Sequence, residues 1–181
     1  MPTDEIEIHP PGHPLDATVS VPGSKSITNR AMILAAMADG RSVIEAVLIS
    51  DDTREMAEAL RTLGFVVAID EAKRRITVEG RGGAIAASRG ELDVGGAGTA
   101  MRFLAGFVTI GRGRFRIDGN QRMRQRPIGA LIDALRALGA DARSELGNGC
   151  PPIVIDTTAQ AFEGGEATID ASLSSQFVSA F

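Results

Sequence analysis

Three stretches of this chain set small and hydroxyl residues immediately before an apolar run, the first two with a cation close by. In Pro22-Gly23-Ser24-Lys25-Ser26-Ile27-Thr28-Asn29-Arg30 the polar residues gather where a helix would begin. A helix N-terminus presents unpaired N–H groups and a partial positive charge, so Lys25, Ser26 and, one turn on, Arg30 there suit a phosphate or carboxylate. The order returns in Val94-Gly95-Gly96-Ala97-Gly98-Thr99-Ala100-Met101-Arg102, where glycines let backbone approach a ligand, Thr99 is placed to cap and Arg102 falls in the first turn. It returns again in Ser172-Leu173-Ser174-Ser175-Gln176. Taken singly, each also reads as ordinary helix capping, with any nearby charges solvated. Three such starts gathered about a pseudo-three-fold axis would converge on one face and select a polyanion. Arg122, Arg124 and Arg126 alternate just before a further helix, and in an extended segment at least two of them would reach one anion.

Other chemistries find less support. Cys150 has no basic neighbour to activate it and reads as structural, and His9 and His13 share no triad or metal-ligand spacing. A net charge of -4 and the absence of Trp and Tyr argue against nucleic acid. No apolar run approaches the ~20 residues of a membrane span, and the acidic start with a single cysteine points to the cytoplasm. Of 19 basic residues only Lys25 and Lys73 are lysines, which singles out Lys25.

The elements that must position these groups repeat. Ala59-Leu60-Arg61-Thr62-Leu63-Gly64-Phe65 returns as Ala134-Leu135-Arg136-Ala137-Leu138-Gly139-Ala140, each reading as a helix end closed by a left-handed glycine. Ser50, Asp51 and Asp52 offer caps for the first of these helices, and Pro127 suits the N1 position of the second. Ahead of each lies a helix apolar almost all round, over 27–38 and 100–110, and both are expected to be buried. Strands are predicted over 17–21, 66–69, 76–79, 114–117, 153–156 and 167–169, with 6–8 as an edge strand before Pro10-Pro11-Gly12. The repeat thus reads βαβαββ. A third unit starts near Gly165 and stops inside an apolar helix, leaving Phe177, Val178 and Phe181 without packing partners.

Four motifs in register, Gly23-Ser24-Lys25-Ser26 with Arg30, Gly96-Ala97-Gly98-Thr99-Ala100-Met101-Arg102, Arg122-Met123 with Arg126-Pro127-Ile128-Gly129, and Ser174-Ser175-Gln176-Phe177, closely resemble the 5-enolpyruvylshikimate-3-phosphate synthases. The resemblance covers nearly the whole chain. It implies an α/β (α+β) fold of repeated βαβαββ units around buried parallel helices, an inside-out α/β barrel domain that is incomplete here. It implies transfer of the enolpyruvyl group of phosphoenolpyruvate to the 5-hydroxyl of shikimate 3-phosphate in the shikimate pathway, with no metal and no organic cofactor. By the same resemblance Lys25 touches both substrates and is the catalytic residue. Ser26, Arg30, Ser174, Ser175 and Gln176 hold shikimate 3-phosphate. Gly98, Arg126 and Gln176 hold phosphoenolpyruvate, and Thr99 and Arg102 support the loop. Gly96 stands where many relatives have Asn and Phe103 where they have Pro, while the retained Gly98 implies room for glyphosate.

Residues 1–14 are expected to belong to a second domain, with 15–181 forming the shikimate-3-phosphate-binding domain, cut short in its third unit. A complementary C-terminal domain is then required for turnover, and the full enzyme is expected to be a monomer. Two alternatives remain. One is the related UDP-N-acetylglucosamine enolpyruvyl transferase, which the Lys25-Ser26 pair and the absence of Cys from 119–127 disfavour. The other is a non-catalytic anion-binding remnant.

Overall fold

A computed structural model of the chain describes residues 6–159, 164–170, 172 and 175–180. The elements run α1 (Lys25–Met37), β1 (Asp39–Ile44), α2 (Asp51–Thr62), β2 (Val66–Asp70) and β3 (Arg75–Arg81). They continue with β4 (Arg89–Asp93), α3 (Gly98–Phe107), β5 (Arg114–Asp118), α4 (Gly129–Ala137), β6 (Asp141–Ser144), β7 (Ile153–Asp156) and the short α5 (Ser175–Ser179). Two sheets result, in strand orders β1-β3-β2 and β4-β5-β7-β6. Every pairing is antiparallel except β4 with β5, which is parallel and spanned by α3. The second unit is therefore a complete βαβαββ.

The two repeat helices end alike. Gly64 and Gly139 both take φ of +94°, and each sits in the same pair of closing bonds, Gly64 N–H to the Arg61 carbonyl and Phe65 N–H to Leu60, matched by Gly139 to Arg136 and Ala140 to Leu135. At the start of α2, Ser50 is the N-cap and its N–H donates to Thr53 Oγ1 at 2.9 Å. Helix α4 begins at Gly129, two residues later than the N1 proline reading requires. Proline drives the residue before it out of the helical region, and Arg126 is accordingly extended at φ -92°, ψ 125°.

A single core unites both units, with Met32, Met56, Leu60, Ile76, Leu92, Met101, Leu104 and Ile117 closed to solvent. Helix α3 meets the expectation of burial, since it packs against α1, α2, α5 and β5. Helix α1 does not: Ile27, Leu34 and Met37 are 66%, 60% and 44% exposed, because α1 packs mainly on β1, β3, α2 and α3 and the described residues leave one of its faces largely uncovered.

Three predicted strands do not form. Residues 6–8, 17–21 and 167–169 are irregular, with Val19 and Val21 78% and 79% exposed. Alternation supplies one face of a strand, but a strand exists only through a ladder, and none of these segments pairs with another described strand. The final helix forms one short stretch in which Phe177 is buried, contrary to expectation, because α5 docks on α3 and the Arg102 guanidinium lies 5.1 Å from the Phe177 ring centre. Phe181 lies outside the described residues.

Candidate anion-binding site

The loop from β4 into α3 is the middle of the site. Gly95 takes φ of +46°, and its N–H donates to Asp93 Oδ1 at 2.8 Å. A Cβ at Gly95 would collide with the Glu55 carboxylate, which reaches across from α2. Burial, the charge of Asp52 and those of Asp93 and Asp51 push the Glu55 carboxyl above its ordinary value, against the pull of a Gly96 backbone hydrogen bond. At Gly98, the first residue of α3, the space a Cβ would fill is taken by the Arg126 guanidinium. Only glycine lets that cation lie against the helix start.

Arg126 is aimed by its own segment. Residues Met123–Gln125 form one 3-10 turn, entered by a hydrogen bond from Met123 N–H to Asn120 Oδ1 at 3.0 Å. The extended arrangement predicted for Arg122, Arg124 and Arg126 is therefore replaced by a turn, which sends Arg124 away and leaves the other two on one side. Arg124 folds back onto Asp118 with Nε at 2.9 Å and Nη2 at 2.6 Å, while Arg122 and Arg126 line a cavity of about 450 Å³ with Gly96, Asn120 and Met123. Asp118 also takes Arg116 at 3.1 Å and the Gly119 N–H at 2.8 Å. Burial acts to raise the Asp118 carboxyl, but the Arg124 and Gly119 hydrogen bonds and the two arginine charges outweigh it and hold the group below the usual carboxylate range.

The other residues predicted for the site lie in separate contacts. Lys25, the first residue of α1, places Nζ 2.8 Å from Asp52 Oδ2 at the start of α2, with half-buried Ser26 beside it. Along the sequence Asp52 is only a candidate cap. Thr99 does not cap α3, which already begins at Gly98; its hydroxyl instead accepts from Gln176 Nε2 at 3.3 Å, tying α5 to α3. Arg102, 5% exposed, donates to the Gly98 carbonyl at 2.9 Å and the Pro127 carbonyl at 3.3 Å, so it ties the residue after Arg126 to the start of α3. Burial, then the charge of Arg126, lowers its pKa. Ser175 opens α5 and is exposed; Ser174 lies outside the described residues. Arg30 stands apart from Lys25, donating to Ser179 Oγ at 3.0 Å and lying 5.1 Å from the Phe103 ring centre, at the edge of an apolar groove between α1, α3 and α4.

Sequence reasoning missed Glu55, Asp118 and Asn120. Their only signal was an acid or amide at a helix start or a strand end, which is ordinary turn chemistry. Among the described residues no cluster of His, Cys, Asp or Glu could hold a metal ion, and no helix is long and apolar enough to cross a membrane. Cys150 is half-buried and unpaired; its carbonyl accepts from Ser144 Oγ at 2.6 Å and its N–H donates to Asn148, which fits a structural reading.

The two sheets and the helices packed on them define a class: the fold is that of the enolpyruvyl transferases. EPSP synthase from Acinetobacter baumannii superposes with a TM-score of 0.73 at 24% identity, over 90% of this chain and 36% of the other. The enolpyruvyl transferase NikO from Streptomyces tendae gives 0.54 at 22% identity, over 80% and 31%. Within that class the chain belongs to the EPSP synthase (3-phosphoshikimate 1-carboxyvinyltransferase) family, whose profile matches residues 10–181. Curated relatives named 3-phosphoshikimate 1-carboxyvinyltransferase include those of Shewanella amazonensis, 45% identical, and Rhizobium etli, 46% identical, each matched over 98% of this chain and 41% of its own length. The chloroplastic enzyme of Solanum lycopersicum is 43% identical over 92% of this chain and 33% of its own. The chain thus spans about two-fifths of the length of the bacterial relatives.

Proposed function

We propose that this chain forms the shikimate-3-phosphate side of a site where the enolpyruvyl group of phosphoenolpyruvate passes to a sugar-acid hydroxyl. The observation that carries the reading is the Arg126 guanidinium laid across Gly98 at the start of α3, with Gln176 tied to Thr99 beside it. A fixed cation on a helix N-terminus favours a phosphate, and preorganised positive groups favour the charge that builds in the intermediate. In the reaction the 5-hydroxyl of shikimate 3-phosphate adds to C2 of phosphoenolpyruvate while C3 takes a proton. The tetrahedral adduct then expels inorganic phosphate and gives up a C3 proton, restoring the enol double bond.

Lys25 is assigned to both substrates; its ammonium, held by Asp52 at 2.8 Å, sits at the start of α1 where it can exchange one anion for another. Ser26, Arg30, Ser174, Ser175 and Gln176 are assigned to shikimate 3-phosphate. Gly98, Arg126 and Gln176 are assigned to phosphoenolpyruvate, with Thr99 and Arg102 supporting them. The remaining groups come from a complementary C-terminal domain, on which residues 1–14, with Ile6 and Ile8 87% and 85% exposed, are proposed to pack. The proposed setting is a cytoplasmic, monomeric full enzyme that uses no cofactor.

The test is a phosphate-release assay with both substrates. Residues 1–181 alone should give no measurable turnover, and supplying the complementary portion should restore it, inhibitable by glyphosate. Robust turnover by the 181 residues alone, or an assembled enzyme indifferent to high glyphosate, would contradict the reading. A non-catalytic anion-binding role would leave binding without turnover in the assembled protein.

A further inference from the structure

The geometry points to Asn120 as an additional anion-binding residue, its side-chain NH2 donating into the Arg126 cavity across the gap left by Gly96. Three hydrogen bonds fix Asn120, two through its backbone and one through its side chain: its N–H donates to the Gly95 carbonyl at 2.9 Å, its carbonyl accepts from Arg124 N–H at 3.1 Å, and its Oδ1 accepts from Met123 N–H at 3.0 Å. The last bond settles which way the amide faces, because only the oxygen can accept from an N–H. Nδ2 is left with no hydrogen-bond partner among the described residues. It points toward Gly96, where a Cβ would lie only 3.3 Å away, so a side chain at 96 would crowd it. Gly96, Asn120, Arg122 and Arg126 line the same cavity, with two cations and this one neutral donor and no carboxylate among its lining residues. Asn120 is exposed, and a neutral amide whose oxygen is anchored beside two guanidiniums adds direction to their charge, which suits a phosphate or carboxylate oxygen. The inference deepens the proposed function and takes phosphoenolpyruvate as its probe.

Asn120→Asp separates a binding role from a structural one. Aspartate keeps the oxygen that accepts from Met123 N–H but replaces the donor with a negative acceptor. In two-dimensional amide NMR of the 181-residue chain, phosphoenolpyruvate should shift the Asn120 side-chain NH2 pair in step with the Gly98 backbone amide. In Asn120→Asp the dissociation constant read at Gly98 should rise on the order of ten-fold, with the Met123 amide unmoved in the free protein. Equal affinity in the two proteins, or no phosphoenolpyruvate response in the wild type, overturns the inference. Shikimate 3-phosphate titrated separately tests the broader reading: silence there with an Asn120-dependent response to phosphoenolpyruvate would sink the assigned substrate pair and leave the anion site standing.

Discussion

The first and second units share a repeat and a set of helix caps, yet only the second closes. In the second, β4 pairs with β5, and the loops that follow these strands are bolted together by Val94 N–H to the Asp118 carbonyl and Asn120 N–H to the Gly95 carbonyl, both at 2.9 Å. In the first unit the residues before α1 form no strand, and they meet the loop after β1 at Gly23, where a Cβ would strike the Ala46 carbonyl. The consequence reaches the helices: α3 is enclosed while α1, of similar composition, leaves an apolar stripe open. Burial is thus set by whether the neighbouring elements close around every side of a helix, and its composition only makes burial tolerable. The cavity of Arg126 belongs to the closed unit, where paired strands fix the loop that Gly98 and Asn120 depend on.

The sharpest way to break this contrast is to truncate one leucine in each helix. Leu104→Ala in α3, at a position closed to solvent, should cost about 2–5 kcal/mol of unfolding free energy, whereas Leu34→Ala in α1, 60% exposed, should stay within about 0.5 kcal/mol. Urea denaturation of the two variants measures both, and equal losses would erase the distinction between the helices.

A smaller effect is expected where Asp118 anchors the closed unit. Asp118→Asn should lower stability at neutral pH by about 1 kcal/mol, roughly 2–4 °C in Tm. Because the folded carboxyl is held below its unfolded value, the stability it contributes is present above the unfolded pKa, about 4, and is lost as pH falls through the folded value. Thermal melts should therefore show the gap between wild type and variant closing below about pH 4. A gap independent of pH would mean that the charge of Asp118 is not what matters.

The smallest effect belongs to Glu55, where α2 of the first unit touches the Gly95 loop of the second. Its raised carboxyl marks an ionised form that the fold disfavours, a penalty absent below the unfolded pKa, about 4, and growing as pH rises through the folded value. Glu55→Gln should therefore raise Tm slightly at pH 7 and leave it unchanged at pH 4. A fall in Tm at pH 7 would show that the ionised carboxylate is needed to hold Gly96.

Legibility in the sequence followed the same division. Strands β3, β5 and β7 sit inside their sheets and carry the apolar runs that announce them, whereas the unpredicted β1, β4 and β6 lie on sheet edges; β2 is an edge strand too, announced by its own run Val66-Val67-Ala68-Ile69. Sequences such as Asp39-Gly40-Arg41-Ser42 and Asp141-Ala142-Arg143-Ser144 become strands only because β3 and β7 offer a ladder, which no local pattern records. Helices α2 and α4 were readable because Gly64 and Gly139 close both identically. At the site, Lys25, Gly98 and Arg126 stood out by motif. Asp52, Glu55, Asp118 and Asn120 did not, since their role depends on which loop lies opposite, and opposition across a fold is invisible along the chain.

The central claim is that helix starts, with Lys25 and Arg126, gather around one polyanion. Calorimetric titration of shikimate 3-phosphate into residues 1–181 tests it most directly, with Lys25→Ala alongside. Millimolar or tighter binding by the wild type, lost or sharply weakened in a variant that still melts cooperatively, is the predicted result. No heat from a folded wild-type chain, or binding indifferent to the loss of Lys25, would contradict it.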